Sequence, residues 1–176
     1  VKSVAWNGTK WVAGGEGGNT LAYSSDGITW TASTIETGTL ITRVEAVAWN
    51  GKMWIAGGSG GNTMAYSDDG VNWTASANTI FSTAVYAVAW NGTRWVAGGN
   101  GGNGVTIAYS DDDGITWTAS SNTPFGSAVY AVAWNGTRWV AGGNGGNTMA
   151  YSDDDGITWT ASANTIFSTA VYAVAW

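Results

Sequence analysis

The sequence predicts an all-β chain of stacked, near-identical modules, and three observations carry that prediction. Val-Ala-Trp recurs at residues 4–6, 47–49, 88–90, 132–134 and 174–176, with Trp spacings of 43, 41, 44 and 42. No window places apolar residues at the spacing of a helix face. Instead, short branched and aromatic runs alternate with clusters of Gly, Asn, Ser and Asp, the pattern of strands and turns. A period of this length marks a repeat architecture.

Each repeat reads as four short strands, and the third shows them in order. Val85–Trp90 is rich in residues that suit a pleated surface. Asn91-Gly92 follows and predicts a type I′ hairpin, with the same pair at Asn7-Gly8, Asn50-Gly51 and Asn135-Gly136. A second strand over Arg94–Ala97 runs into a predicted loop, Gly98-Gly99-Asn100-Gly101-Gly102-Asn103. The third strand ends in Ala108-Tyr109-Ser110, and Ile115–Thr118 is the fourth. Four antiparallel strands in about 42 residues is the arithmetic of a β-propeller blade.

The expected blades are 1–43, 44–84, 85–128 and 129–170, and 171–176 repeats a first strand once more. The spacing differences have identifiable sources. Two extra residues lie between Thr31 and Arg43, Gly104-Val105 is inserted in the third repeat, and the third and fourth carry one extra Asp each. One blade cannot bury both its faces, so blades stack, and three Trp per repeat (Trp90, Trp95 and Trp117 in the third) supply the packing.

Composition excludes several functions. With neither Cys nor His there are no disulfides, no thiolate metal sites and no His-based triads. Six Lys and Arg against twelve Asp and Glu, a net charge of −6, argue against nucleic acid as a partner. No run approaches the roughly 18 apolar residues of a membrane helix, so no membrane partner is expected. Val1–Trp6 lacks a basic head followed by an apolar run, and a chain opening on Val reads as a processed or partial product. No cofactor is expected.

Nine of the twelve acidic residues fall between the third and fourth strands. Two turns carry Ser110, Asp112, Gly114, Trp117 and Ser152, Asp154, Gly156, Trp159; two shorter ones carry Ser24, Asp26, Gly27, Trp30 and Ser67, Asp69, Gly70, Trp73. This pattern resembles the Asp-box, S-x-D-x-G-x-T-W, of sialidase-type (BNR-like) propellers, and the short turns lack one residue between Asp and Gly. The residues themselves favour a structural turn: Asp accepts nearby backbone N–H groups, Gly supplies an unusual φ, and Trp plugs the core. The rival is a calcium site at Asp111–Asp113 and Asp153–Asp155. Three consecutive strand residues do not converge on one ion, so the turns are expected to be metal-free. The extra Asp reads as solvated charge.

In an up-and-down blade the Asn-Gly and acidic turns share one end. The Gly-rich loops and the inter-blade loops, such as Ala77–Ser82, share the other. The resemblance implies that any site lies opposite the Asp-boxes, and that a sialidase would need an arginine cluster, a Tyr–Glu pair and an Asp acid. Of the three Arg, Arg94 and Arg138 are equivalent and Arg43 precedes a first strand, so no cluster is expected. Glu16, Glu36 and Glu45 are scattered, and equivalent Asp lack the asymmetry that glycoside hydrolysis requires. The expectation is a non-enzymatic scaffold or interaction module. The alternative is a multivalent lectin-like binder using Asn100, Asn103, Asn144, Asn147, Phe81, Phe125 and Phe167, with glycans as partners.

The repeats are nearly copies: 77–90 equals 163–176, and 85–103 equals 129–147, exposed turns included. That pattern implies recent amplification of one blade, or construction. An unpaired apolar strand invites association. Val171–Trp176 is therefore expected to displace Val1–Trp6 beside the strand around Trp11, within one chain or between two.

Overall fold

The computed structural model describes residues 1–36, 41–164 and 166–176, and among these the regular structure is entirely strand. Strands β1 (Ser3–Trp6), β2 (Trp11–Gly14), β3 (Leu21–Ser24) and β4 (Thr31–Ala32) pair antiparallel in that order. After a short β5 (Thr34–Ile35), the pattern recurs in β6 (Ile41–Trp49), β7 (Trp54–Gly60), β8 (Met64–Ser67) and β9 (Asn72–Ala75). It recurs again in β10 (Ala84–Trp90), β11 (Trp95–Asn100), β12 (Ile107–Ser110) and β13 (Thr118–Ala119). The last set is β14 (Phe125–Trp134), β15 (Trp139–Gly146), β16 (Met149–Ser152) and β17 (Thr160–Ala161). Consecutive sets touch: β5 runs parallel to β9, and Ala84 of β10 pairs with Ser59 of β7. Residues 37–40 of the long first junction lie outside the described residues, and so does part of the two-residue excess expected there.

The Trp landmarks come together across each first hairpin. Trp6 opposes Trp11, Trp49 opposes Trp54, Trp90 opposes Trp95, and Trp134 opposes Trp139. Their ring centroids lie 4.9, 5.0, 5.2 and 5.4 Å apart, the spacing of tilted aromatic pairs. The connecting loop differs from the expected type I′ turn, because only the Gly has positive φ (Gly92 at 105°). Asn91 Oδ1 accepts the N–H groups of Thr93 at 2.9 Å and Arg94 at 2.7 Å, which caps a wider loop without a second left-handed residue. Asn7 and Asn135 do the same.

Two other expectations are corrected. Gly98-Gly99-Asn100 belongs to strand β11 rather than to a loop. A methyl on Gly57, Gly98 or Gly142 would meet Cγ1 of Val85, Val129 or Val171 at 2.5 Å, so these glycines let the next unit's first strand pack close. The fourth strand of the third repeat begins at Thr118, because Trp117 N–H donates to Asn78 Oδ1 of the preceding inter-unit loop.

The core lies between units. One cluster joins Val12 and Leu21 to Val44, Trp54 and Trp73; a second joins Ile55 and Met64 to Val85, Trp95 and Trp117. A third joins Val96 and Ile107 to Val129, Trp139 and Trp159. Each side chain is thus covered by the following repeat, as stacked modules require.

Val171–Trp176 is not placed beside Trp11 in the single chain. Ser3–Trp6 holds that position, while Val171 lies against Gly142 and donates its N–H to Gly143 O at 3.0 Å. The glycine of the last second strand is the nearer receptor for the tail. Tyr172 extends a ladder with Tyr86 and Tyr130, ring centroids 5.3 and 4.9 Å apart.

Candidate functional site

The acidic turns and the Asn-Gly loops occupy one end, as their mutual bonds require. In each turn a buried Ser donates its hydroxyl to an Asp carboxylate (Ser24 to Asp26, Ser67 to Asp69, Ser110 to Asp112, Ser152 to Asp154) at 2.8–3.0 Å. The following Gly N–H donates to the same Ser at 2.9 Å. The indole N–H of Trp30, Trp73, Trp117 or Trp159 donates to that Gly carbonyl at 3.0–3.3 Å. The longer turns fit their extra residue by placing Asp113 and Asp155 at φ 60° and 65°.

The three acids of a long turn go to three different partners. Arg94 holds Asp111 at 2.6 Å, Asp112 stays within its turn, and Lys52 of the preceding unit holds Asp113 at 2.6 Å. Asn91 of the preceding unit likewise donates to Asp155, and Arg94 Nη1 donates to its carbonyl at 3.2 Å. The extra Asp is therefore a tie between units, which corrects its reading as solvated charge. Arg94 and Arg138 also stack over Tyr109 and Tyr151, each 4.6 Å from the ring centroid.

These bonds shift the acids. Backbone N–H groups of Thr29 and Ile28, with the Ser24 hydroxyl, hold Asp26 at about 2. Burial pushes Asp69 up, but the Asn72 and Val71 N–H groups, with the side chains of Asn72 and Ser67, outweigh it and bring Asp69 to about 2. Burial likewise opposes the bonds to Asp112 and Asp154, and Thr116 and Thr158 draw both below the ordinary value. A carboxyl depressed in the folded state binds fewer protons there than in the unfolded chain. Its stabilisation is present above the ordinary 3.8 and is lost as pH falls toward about 2. The thermal midpoint is expected to drop steeply between those values and less steeply in Asp69→Asn. A midpoint flat across that window would refute the assignment.

The opposite end carries the Gly-rich loops and inter-unit loops, joined by Asn103 Nδ2 donating to Ile80 O at 3.3 Å. The candidate glycan-binding residues do not form one surface there. Phe81 and Phe125 are buried, in the second and third core clusters, and only Phe167 is half exposed. The amides serve their own units: Asn100 accepts from Gly102 N–H, Asn144 from Ala128 N–H on the paired strand β14, and Asn147 donates to Pro124 O. Of the four, Asn103 is the exposed one. A polar hollow of about 170 Å³ between Asn100, Thr106 and Ser127 remains.

Sequence reasoning missed two features. Tyr86, Tyr130 and Tyr172 stack along successive first strands, and burial, then Tyr172 and Tyr86, pushes the Tyr130 hydroxyl up. Their equal repeat position was the available signal. A hollow of about 480 Å³ lies between Glu36, Lys52, Tyr66 and Asp68, where the irregular first junction meets the second unit. Nothing periodic pointed to it. Arg43 pairs with Glu45 and, at 3.9 Å, with Glu16, so the arginines do not converge.

No curated protein matches this sequence. Among solved structures, a GH74 enzyme of Niastella koreensis is 25% identical with a TM-score of 0.60, over 92% of this chain and 25% of that one. An ancestral GH74 enzyme is 17% identical with a TM-score of 0.70, over 93% of this chain and 24% of that one. The computationally designed Ika8 protein is 16% identical with a TM-score of 0.63, over 90% of this chain and 46% of that one. The chain thus spans about a quarter of the length of either GH74 enzyme. The family model of the DUF6242 beta propeller domain matches residues 79–175, more than half of the chain, and the chain belongs to that β-propeller family.

Proposed function

We propose that the chain is a non-enzymatic scaffold for rigid display, four Asp-box blades amplified from one unit. The supporting observation is how its acids are bonded. Apart from Asp68, which lines the hollow beside Lys52, those of the turns hold backbone, as Asp112 does for Thr116 N–H at 2.8 Å, or tie cations, as Asp153 does for Arg138 at 2.6 Å. Acids so engaged do not form the differentiated acid and base of a hydrolase. Identical stretches at 85–103 and 129–147 support amplification, and copies that retain their loops present equivalent surfaces.

A second reading, multivalent glycan binding, draws on the likeness to GH74 enzymes and on the polar hollow beside Asn100. A glycan array at high protein density, followed by assay for sugar release, separates the readings. The expected outcome is neither binding nor turnover. Saturable binding weakened by Asn103→Ala would replace the scaffold with a lectin, and sugar release abolished by Asp68→Asn would replace it with a hydrolase.

A further inference from the structure

Three units carry a cation at one position of the Asn-Gly loop, and the second unit does not. Lys10, Arg94 and Arg138 stand where that unit has Met53, and Lys52 comes one residue earlier, where the others have Thr. The three aligned cations share one seat. Arg94 and Arg138 lie over the rings of Tyr109 and Tyr151 at 4.6 Å, and Lys10 lies over Tyr23 at 5.1 Å. In the third and fourth units a carboxylate closes the seat from the side. Arg94 donates through Nε and Nη2 to both oxygens of Asp111, at 2.6 and 3.2 Å. Arg138 does the same to Asp153, at 2.6 and 2.9 Å. A ring against one face and a carboxylate along one edge suit a planar guanidinium.

The second unit keeps this seat without its cation. Tyr66 and Asp68 hold the positions of Tyr109 and Asp111, and Tyr66 pairs with Ile55 in the register of Tyr109 with Val96. What stands over them is the hollow of about 480 Å³, lined by Met53, Tyr66, Asp68, Thr74 and Glu36. Lys52 borders it too, but its ammonium is held by Asp113 of the next unit at 2.6 Å. Among the described residues neither Asp68 nor Glu36 has an ion-pair partner. Glu36 is itself a second departure from the repeat. It follows Ser33 by three residues, where Ser76 and Ser120 are followed by Thr79 and Thr123. The parallel pairing of β5 with β9, and Glu36 N–H on Trp73 O at 3.0 Å, bring it to the hollow. One opening has thus lost a cation and gained an acid.

We infer that this hollow binds the guanidinium of an arginine side chain carried by a peptide ligand. The Tyr66 ring takes the face of the guanidinium, and Asp68 takes two of its N–H groups as Asp111 does for Arg94. Glu36 adds a second acceptor that the filled seats lack, and Met53 packs on the methylene stem. Residues 37–40, which continue from Glu36, contain no basic side chain, so that segment does not supply the cation. A peptide carries its arginine without the free α-carboxylate that Asp68 and Glu36 would repel. This site goes beyond the scaffold reading and fails separately from it, since sugar binding and release test that reading and arginine titration tests this one.

Labelling the methionine methyl groups with carbon-13 gives three NMR signals, from Met53, Met64 and Met149. N-acetyl-arginine amide is expected to shift the Met53 signal saturably, with an affinity on the order of 1 mM for one stacked and paired guanidinium. Met64 lies in the core and Met149 in the fourth unit, so their signals should stay in place. The citrulline analogue, of the same shape without the charge, should move none of the three, and free arginine should bind less tightly. Asp68→Asn is expected to weaken binding about tenfold or more, the loss of a charge-assisted bond. Asp68 is exposed, so this variant keeps its fold and the test stays readable. Met53→Arg supplies the guanidinium from within and should abolish the heat of binding by calorimetry. A Met53 signal unmoved by about 20 mM ligand, well above the expected affinity, would overturn the inference. So would equal shifts from the citrulline analogue, tighter binding of free arginine, or undiminished binding in Asp68→Asn or Met53→Arg.

Discussion

Replacing Trp117 or Trp159 with Ala is expected to cost about 3–5 kcal/mol, the range for deleting a large buried aromatic. Both indoles are 2% exposed and sit in clusters that span two units, so the loss opens a void where neighbouring repeats meet. Each also surrenders an indole N–H bond to a turn carbonyl, at 3.0 and 3.1 Å. For a chain of this size each kcal/mol moves the thermal midpoint by roughly 2–4 °C. The informative control is Trp30, which makes the same N–H bond but is 41% exposed because no unit of its own chain covers it. Trp30→Ala is expected to shift the midpoint far less. Equal shifts at Trp30 and Trp117 would show that the turn itself, and not the packing between units, sets the cost.

The contrast between Trp30 and Trp117 also marks how far the sequence is legible. Trp73 sits in a short turn like that of Trp30 yet is fully buried, so position in the stack, and not turn length, separates the exposed indole from the buried ones. Strand order, the opposed Trp pairs and the shared end of the acidic and Asn-Gly turns follow from short-range patterns, and they are readable. The hairpin type is not, since Asn91 can take a left-handed φ itself or cap the loop with its side chain, and the neighbouring Thr93 and Arg94 N–H groups decide. The candidate site was misread for a related reason. Phe81 and Phe125 occur in polar, loop-like sequence, yet Thr63 of the same unit donates to Phe81 O at 2.9 Å, and the aromatic ring turns into the core. Asp113 was equally opaque, because its partners Lys52 and Asn50 lie about sixty residues away and a whole unit earlier.

Gly99→Ala is expected to destabilise at or above the top of the range of about 1–3 kcal/mol typical of overpacking, although Ala is the smaller change on paper. A Cβ at Gly99 would collide with the carbonyl oxygen of Ala84 and approach Val85 Cα and the Phe81 ring at 3.0 Å. Two of those three obstacles are backbone of the paired first strand, so neither can rotate away. Relief requires β10 and β11 to separate beside the bulge between Val85 and Ala87, where their register already shifts. Gly143 repeats this environment against Ala128 O, Val129 Cα and Phe125, so Gly143→Ala should behave alike. Gly92 supplies the counterpart. Its φ of 105° disfavours Ala, but nothing lies within 4 Å, so Gly92→Ala should cost only backbone strain, about 1–3 kcal/mol, with no collision added. Urea unfolding of the three variants decides the matter. If Gly99→Ala and Gly92→Ala are equally mild, the paired glycines are ordinary loop residues after all, and the close approach of first and second strands is not what requires them.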